Sequence, residues 1–200
     1  MGVLINGYLE ASDSAGWRFA GGTIPNPDRG DRPGEPELVP EPFFQSFHKE
    51  LAAILVGHGR PIRSAEPYTP VVPKRGLPAD LSPELAAYLK LFEREDWFEA
   101  SWFTGRELLT FDWTSRSMRR TAMVDERVAH LFADGRRGFP FAEWPAGIPI
   151  QIAGQSRDGV RVEWVELYAE VVRDFYSDVL PRVAALERPD DVRVVVTASW

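Results

Sequence analysis

The chain contains no cysteine, which removes disulfides, thiolate metal sites and cysteine nucleophiles from its chemistry. Histidine is scarce: only His48, His58 and His130 occur, with no HExxH and no pair at helical spacing, so no metal site is expected. There is no phosphate-cradling GxxxxGK[ST], and Gly21-Gly22 is not a dinucleotide fingerprint, so no cofactor is expected. Ser14, Ser101, Ser115 and Ser199 lack the GxSxG surroundings of a hydrolase nucleophile. No apolar run approaches the ~20 residues of a membrane span. Met1 to Tyr8 lacks a basic region leading into a long apolar stretch, so no signal peptide is expected, and the expected location is the cytoplasm. Positive charge is in the minority, 23 Lys and Arg against 30 Asp and Glu, and the net charge of −7 disfavours a broad nucleic-acid surface.

What is present suits a folded domain. At 200 residues, 44% hydrophobic and 26% charged, the chain is ordinary globular material, and residues 1–200 are expected as a single α+β domain. That domain should carry a mainly antiparallel mixed sheet, four to five helices and long Pro/Gly-rich loops over 21–42 and 58–80.

Local patterns divide it further. Val3 and Ile5 alternate with Leu4 and Asn6 as a first strand, and Trp17 to Ala20 returns after the turn 11–16. Phe44, Phe47, Leu51, Ile54 and Leu55 follow helical spacing, predicting a helix over 43–56 that Gly57 stops. Ser82-Pro83-Glu84 opens a helix running to about Glu95, with Ser82 as N-cap. A short strand is expected over 97–103 and a helix over 125–133. Ile148, Ile150 and Ile152 should pair with Val160, Val162 and Trp164 as a hairpin. A helix over 166–186 should be kinked at Pro181. Val192, Val194 and Val196 against Val195 and Thr197 predict a central strand at 191–199.

The segment Ser101 to Trp113 concentrates the most information. Thr104 and Glu107 have capping-box spacing, predicting a helix from Gly105, with Trp102 and Trp113 near its ends. The chain has seven tryptophans, and Trp102, Trp113, Trp144 and Trp164 could wall a pocket for a flat ligand or simply fill a core. Arg116, Arg119 and Arg120 could meet an anion bidentately, or form a solvated charged face. His58 lies in Gly57-His58-Gly59-Arg60, where a loop could hold an anion or merely end a helix; His48 is expected exposed on the first helix. The candidate ligand-binding set is therefore Trp102, Trp113, Arg119, Arg120, Asp112 and His58, with no catalytic residue assigned.

These motifs in this order resemble an uncharacterised family of small proteins from phages and high-GC bacteria. Gly7-Tyr8, residues 47–57, Arg75-Gly76-Leu77-Pro78-Ala79-Asp80-Leu81-Ser82, Ser101-Trp102 with Thr104, Glu107-Leu108-Leu109 and Asp112-Trp113 carry the resemblance. Val162-x-Trp164, Leu180-Pro181 and Asp191-Val192-Arg193 complete it. No activity comes with it, and Phe98, Glu99 and Ala100 stand where relatives tend to carry histidines.

The expectation is a non-enzymatic binding protein for a small, anionic ligand or a protein partner, in the setting of a phage-type modulator of bacterial defence. Two alternatives stay open: a hydrolase or transferase using Asp112, Glu107 or Glu99 with His58 or His130, and a structural subunit docking through its loops. Oligomeric state is not legible.

Overall fold

The computed structural model describes residues 2–27, 36–57, 68–92, 98–133, 135–150 and 159–200. Its strands in chain order are β1 (Leu4–Asp13), β2 (Gly16–Phe19), β3 (Thr23–Pro25), β4 (Leu38–Pro40), β5 (Phe44–Phe47), β6 (Phe98–Thr104), β7 (Ser117–Val124), β8 (Val160–Leu167) and β9 (Val192–Ser199). The helices are α1 (Lys49–Val56), α2 (Pro83–Leu89), α3 (Gly105–Thr110), α4 (Tyr168–Val171) and α5 (Leu180–Ala184). Short 3-10 helices cover Glu126–Phe132 and Phe141–Glu143. The fold is α+β, and every pairing between named strands is antiparallel. The chain groups into two compact units, Met1–Gly59 with Pro70–Phe111 and Ser177–Trp200, and Arg60–Thr69 with Asp112–Tyr176.

The first unit is built on the sheet β2-β1-β9-β6, with β5 also on β1. The predicted central strand is there: β9 pairs β1 on one side and β6 on the other, and Val192 to Ala198 are all buried. Valine and alanine on both sides of the alternation suit a strand covered on both faces. The first hairpin is also present, but β1 runs on to Asp13, so the turn is tighter than the sequence implies.

The region 43–56 departs from expectation. Its first part is not helix but β5, with Phe44 opposite Gly7 on β1. A Cβ at Gly7 would lie 2.0 Å from the Phe44 ring, so the glycine leaves the hollow that the ring fills. Phe47, read as a core position at helical spacing, is exposed. The helix begins only at Lys49, because His48 is its N-cap: His48 is extended, and Nδ1 accepts the Leu51 N–H at 3.2 Å. His48 is therefore a half-buried cap rather than an exposed helix position. Gly57, at φ 71°, ends α1 as expected.

Other boundaries moved for local reasons. The loop 21–42 contains the paired β3 and β4, and its 28–35 portion lies outside the described residues. The loop 58–80 is irregular over 68–80, while 58–67 lies outside the described residues. Helix α2 ends at Leu89, and Ser82 precedes it without a side-chain capping bond. The expected strand over 97–103 is β6, one residue later. The expected helix over 125–133 is the 3-10 helix, with Asp125 accepting the Arg127 N–H.

Over 166–186, β8 persists to Leu167, α4 follows, and a π-helical turn at Phe175–Val179 precedes α5. Pro181 has no N–H to give and its ring crowds the preceding turn, so the helix widens and restarts with Pro181 in its first turn.

The second unit contains the β7–β8 pair and an aromatic cluster. Here the expected hairpin of 148–152 with 160–164 is corrected. β8 pairs β7, Ile148 to Ile150 form no strand, and 151–152 lie outside the described residues. Ala122, Val124, Val162 and Trp164 on the inner face pack with Val128 and Phe132 of the 3-10 helix. Phe132 meets Phe139, Trp144 and Trp164 with ring centroids 5.4, 6.3 and 5.7 Å away.

Candidate functional site

Two polar arrangements stand out, one in each unit. In the first, Glu10 and Arg193 face each other across β1 and β9, and both are essentially inaccessible. Arg193 Nε donates to Glu10 Oε2 at 2.7 Å, while its remaining nitrogens donate to Asp80 Oδ1 at 2.6 Å and to the Asp80 carbonyl at 2.8 Å. The other Glu10 oxygen accepts the Ser82 N–H at 2.7 Å. Every partner comes from the strands or from the 75–82 segment, so this pair fastens that segment to the sheet.

Trp17 and Trp102 flank the Arg193 guanidinium at 4.1 and 5.8 Å, and Arg75 stacks on Trp102 at 4.4 Å. Arg75 also grips Glu107 with two hydrogen bonds of 2.9 and 2.6 Å. Glu107 completes the predicted capping box with Thr104, and α3 starts at Gly105 as expected. Nearby, burial pushes the Tyr8 phenol up, reinforced by Tyr88.

The carboxyls of this cluster define an acid response. The Arg193 hydrogen bond holds Asp80 below the ordinary carboxylate range. Burial pushes Glu107 up, but Arg75 and Thr104 outweigh it and hold it down. A depressed folded pKa gives stability that is complete above the unfolded value, about pH 4, and lost as pH falls through the folded one. Arg75→Ala should therefore flatten the fall of the melting temperature between pH 5 and pH 3 relative to wild type. An unchanged slope would remove Glu107 from the acid response.

In the second unit, Arg120 lies on the inner face of β7, only 9% exposed. It bonds the Tyr68 hydroxyl at 2.9 Å and lies 3.2 Å from Glu166, whose other oxygen accepts from Trp164 Nε1 at 2.9 Å. The expectation of a solvated Arg116–Arg120 face fails at this position: the side chain is buried with the Glu166 carboxylate as a nearby counter-charge and the Tyr68 hydroxyl as an acceptor.

A groove of about 440 Å³ runs along β8. Phe132 and Trp164 are its largest apolar linings, and Ala129, Ala133, Gly135 and the other residues from Val160 to Val165 line it with them. Arg119 and Arg161 each approach Glu163 at 3.6 Å, so two guanidinium groups share one carboxylate at the rim.

The candidate residues are thus distributed. Arg119 lines the groove. Trp113 is buried against Phe175, with centroids 5.5 Å apart, and Asp112 accepts the Ser115 N–H at 2.9 Å in an exposed turn. Arg120 serves the interior pair, and Trp102 belongs to the Arg75–Arg193 stack of the first unit. His58 lies outside the described residues. Sequence reasoning missed Arg161, Glu163, Phe132 and the small residues that line the groove with them. The signal was the alternation of Met118, Arg120, Ala122 and Val124, which marks β7 and hence the neighbour of β8.

No group of three or more His, Asp or Glu able to hold a metal occurs among the described residues. No described helix is long and apolar enough to cross a membrane. No family model, curated protein or solved structure matches the chain.

Proposed function

We propose that this chain is a binding protein whose groove beside β8 takes a ligand with an apolar body and an anionic end. The observation that carries this reading is the rim: Arg119 and Arg161 share Glu163, which leaves a local positive charge on a chain of net charge −7. The volume of about 440 Å³ is within the range of ligand pockets, and aromatic lining beneath a few polar groups is their usual chemistry. Of the carboxylates considered for catalysis, Glu107 is engaged by its cap and Arg75, Glu99 pairs with Lys74, and Asp112 is engaged by its turn. The likeness to phage and high-GC bacterial proteins supports modulation of a bacterial defence or regulatory system as the setting.

Native mass spectrometry of the full chain from its own host tests the reading. A stoichiometric anionic companion should survive with wild type and be lost, or weakened at least about tenfold, with Arg119→Ala, as expected for one charge-assisted contact. A companion retained equally by both, or none in either, would sink it.

A further inference from the structure

We infer that the occupant of the groove is an extended, acidic peptide segment of another protein, added as a strand to the outer edge of β8; this rests on the binding reading above. The edge already accepts one short piece of the chain. The Val165 N–H donates to the Arg136 carbonyl and the Val165 carbonyl accepts from Gly138 N–H, both at 2.8 Å, a parallel bridge centred on Arg137. Backbone groups of a strand alternate in direction with a period of two. The N–H and C=O groups of Glu163 and Arg161 therefore point to the same side as those of Val165, away from β7. Among the described residues, neither has a backbone partner on that side.

The chain diverges at this point. Residues 136–138 are held on the edge, with Arg136 bonded to the Leu131 carbonyl at 3.2 Å and paired with Glu143. Ala133 and Gly135 instead line the groove, as does Ala129. Small side chains there leave space next to Val160 to Glu163, a stretch of roughly 10 Å over three strand rises. A row of outward amide donors and carbonyl acceptors matches another main chain, whereas a phosphate would use donors alone. Main-chain pairing supplies affinity in such additions and flanking pockets supply selectivity. Arg119 and Arg161 then select a carboxylate on the added segment, and Phe132 and Trp164 receive an apolar side chain beside it.

The test uses the full chain. In the free protein, amide hydrogen exchange at Arg161 and Glu163 should run at least about tenfold faster than at Val162 and Trp164, whose amides face β7. Selection from a displayed library of random decapeptides should enrich acidic residues at alternating positions. Synthetic versions of the selected peptides should slow exchange at Arg161 and Glu163 about tenfold. N-methylation of alternate peptide amides should abolish this effect, and Arg161→Glu, at a well-exposed position, should weaken binding about tenfold.

Arg161 and Glu163 amides already as protected as Val162 would show that the chain covers its own edge, overturning the proposal. Selected peptides that leave both amides unchanged would also overturn it. If peptides fail while a small anion is retained in an Arg119-dependent way, strand addition falls and the binding reading stands. If neither is retained, both fall.

Discussion

Replacing Arg193 by methionine should destabilise the chain by about 3–5 kcal/mol, because it strands Glu10 in the interior without its counter-charge. Glu10 is fully buried, so water cannot replace the lost guanidinium, and the Ser82 N–H would be its remaining bonded partner in the described contacts. Asp80, by contrast, has a well-exposed side chain and can return to solvent at little cost. Glu10→Leu combined with Arg193→Met removes both charges, and this double variant should recover most of the loss. Urea denaturation of wild type, both single variants and the double variant gives the coupling directly; additive losses would mean that the two side chains act independently. A loss of this size is a large share of the 5–15 kcal/mol typical of a folded domain.

Phe132→Ala should cost a similar amount, about 3–5 kcal/mol, for a different reason. Phe132 is 7% exposed and meets three other aromatic rings, so truncation opens a void that Phe139, Trp144 and Trp164 cannot fill together. Phe132→Leu retains much of the volume and should lose less than about 1.5 kcal/mol. The same pair separates packing from recognition, since Phe132 also lines the groove. A denaturation midpoint for Phe132→Ala within error of wild type would show that the cluster does not need this ring.

The contrast between what was legible and what was not follows from where charge sits. β9 could be read because valines fill both sides of its alternation, and α3 because Thr104 and Glu107 act within four residues of each other. Phe44 to Phe47 misled because i, i+3 spacing of apolar residues is shared by a helix face and a short edge strand. Gly7, far away in sequence, decided between them. β7 stayed hidden because an arginine occupies a core-facing position of its alternation, where Glu166 and Tyr68, distant in sequence, lie beside it. The groove shared that fate. Arg119 could be singled out from local charge, but its neighbours across the β7–β8 ladder and along the 3-10 helix depend on pairings that no local pattern encodes.

The Glu10–Arg193 pair also acts as a key for strand alignment. A sheet dominated by valine can in principle slide, since one valine replaces another with little penalty. Sliding β9 by one residue against β1 turns its side chains to the wrong face. Sliding it by two restores the faces but sets Glu10 against Val195 or Asp191 instead of Arg193. Either shift leaves an acid and a base in the interior apart from each other, an error worth several kcal/mol. The mispaired sheets are thereby expelled from the set of compact alternatives, and the one alignment that also brings Asp80 and Ser82 into reach is selected.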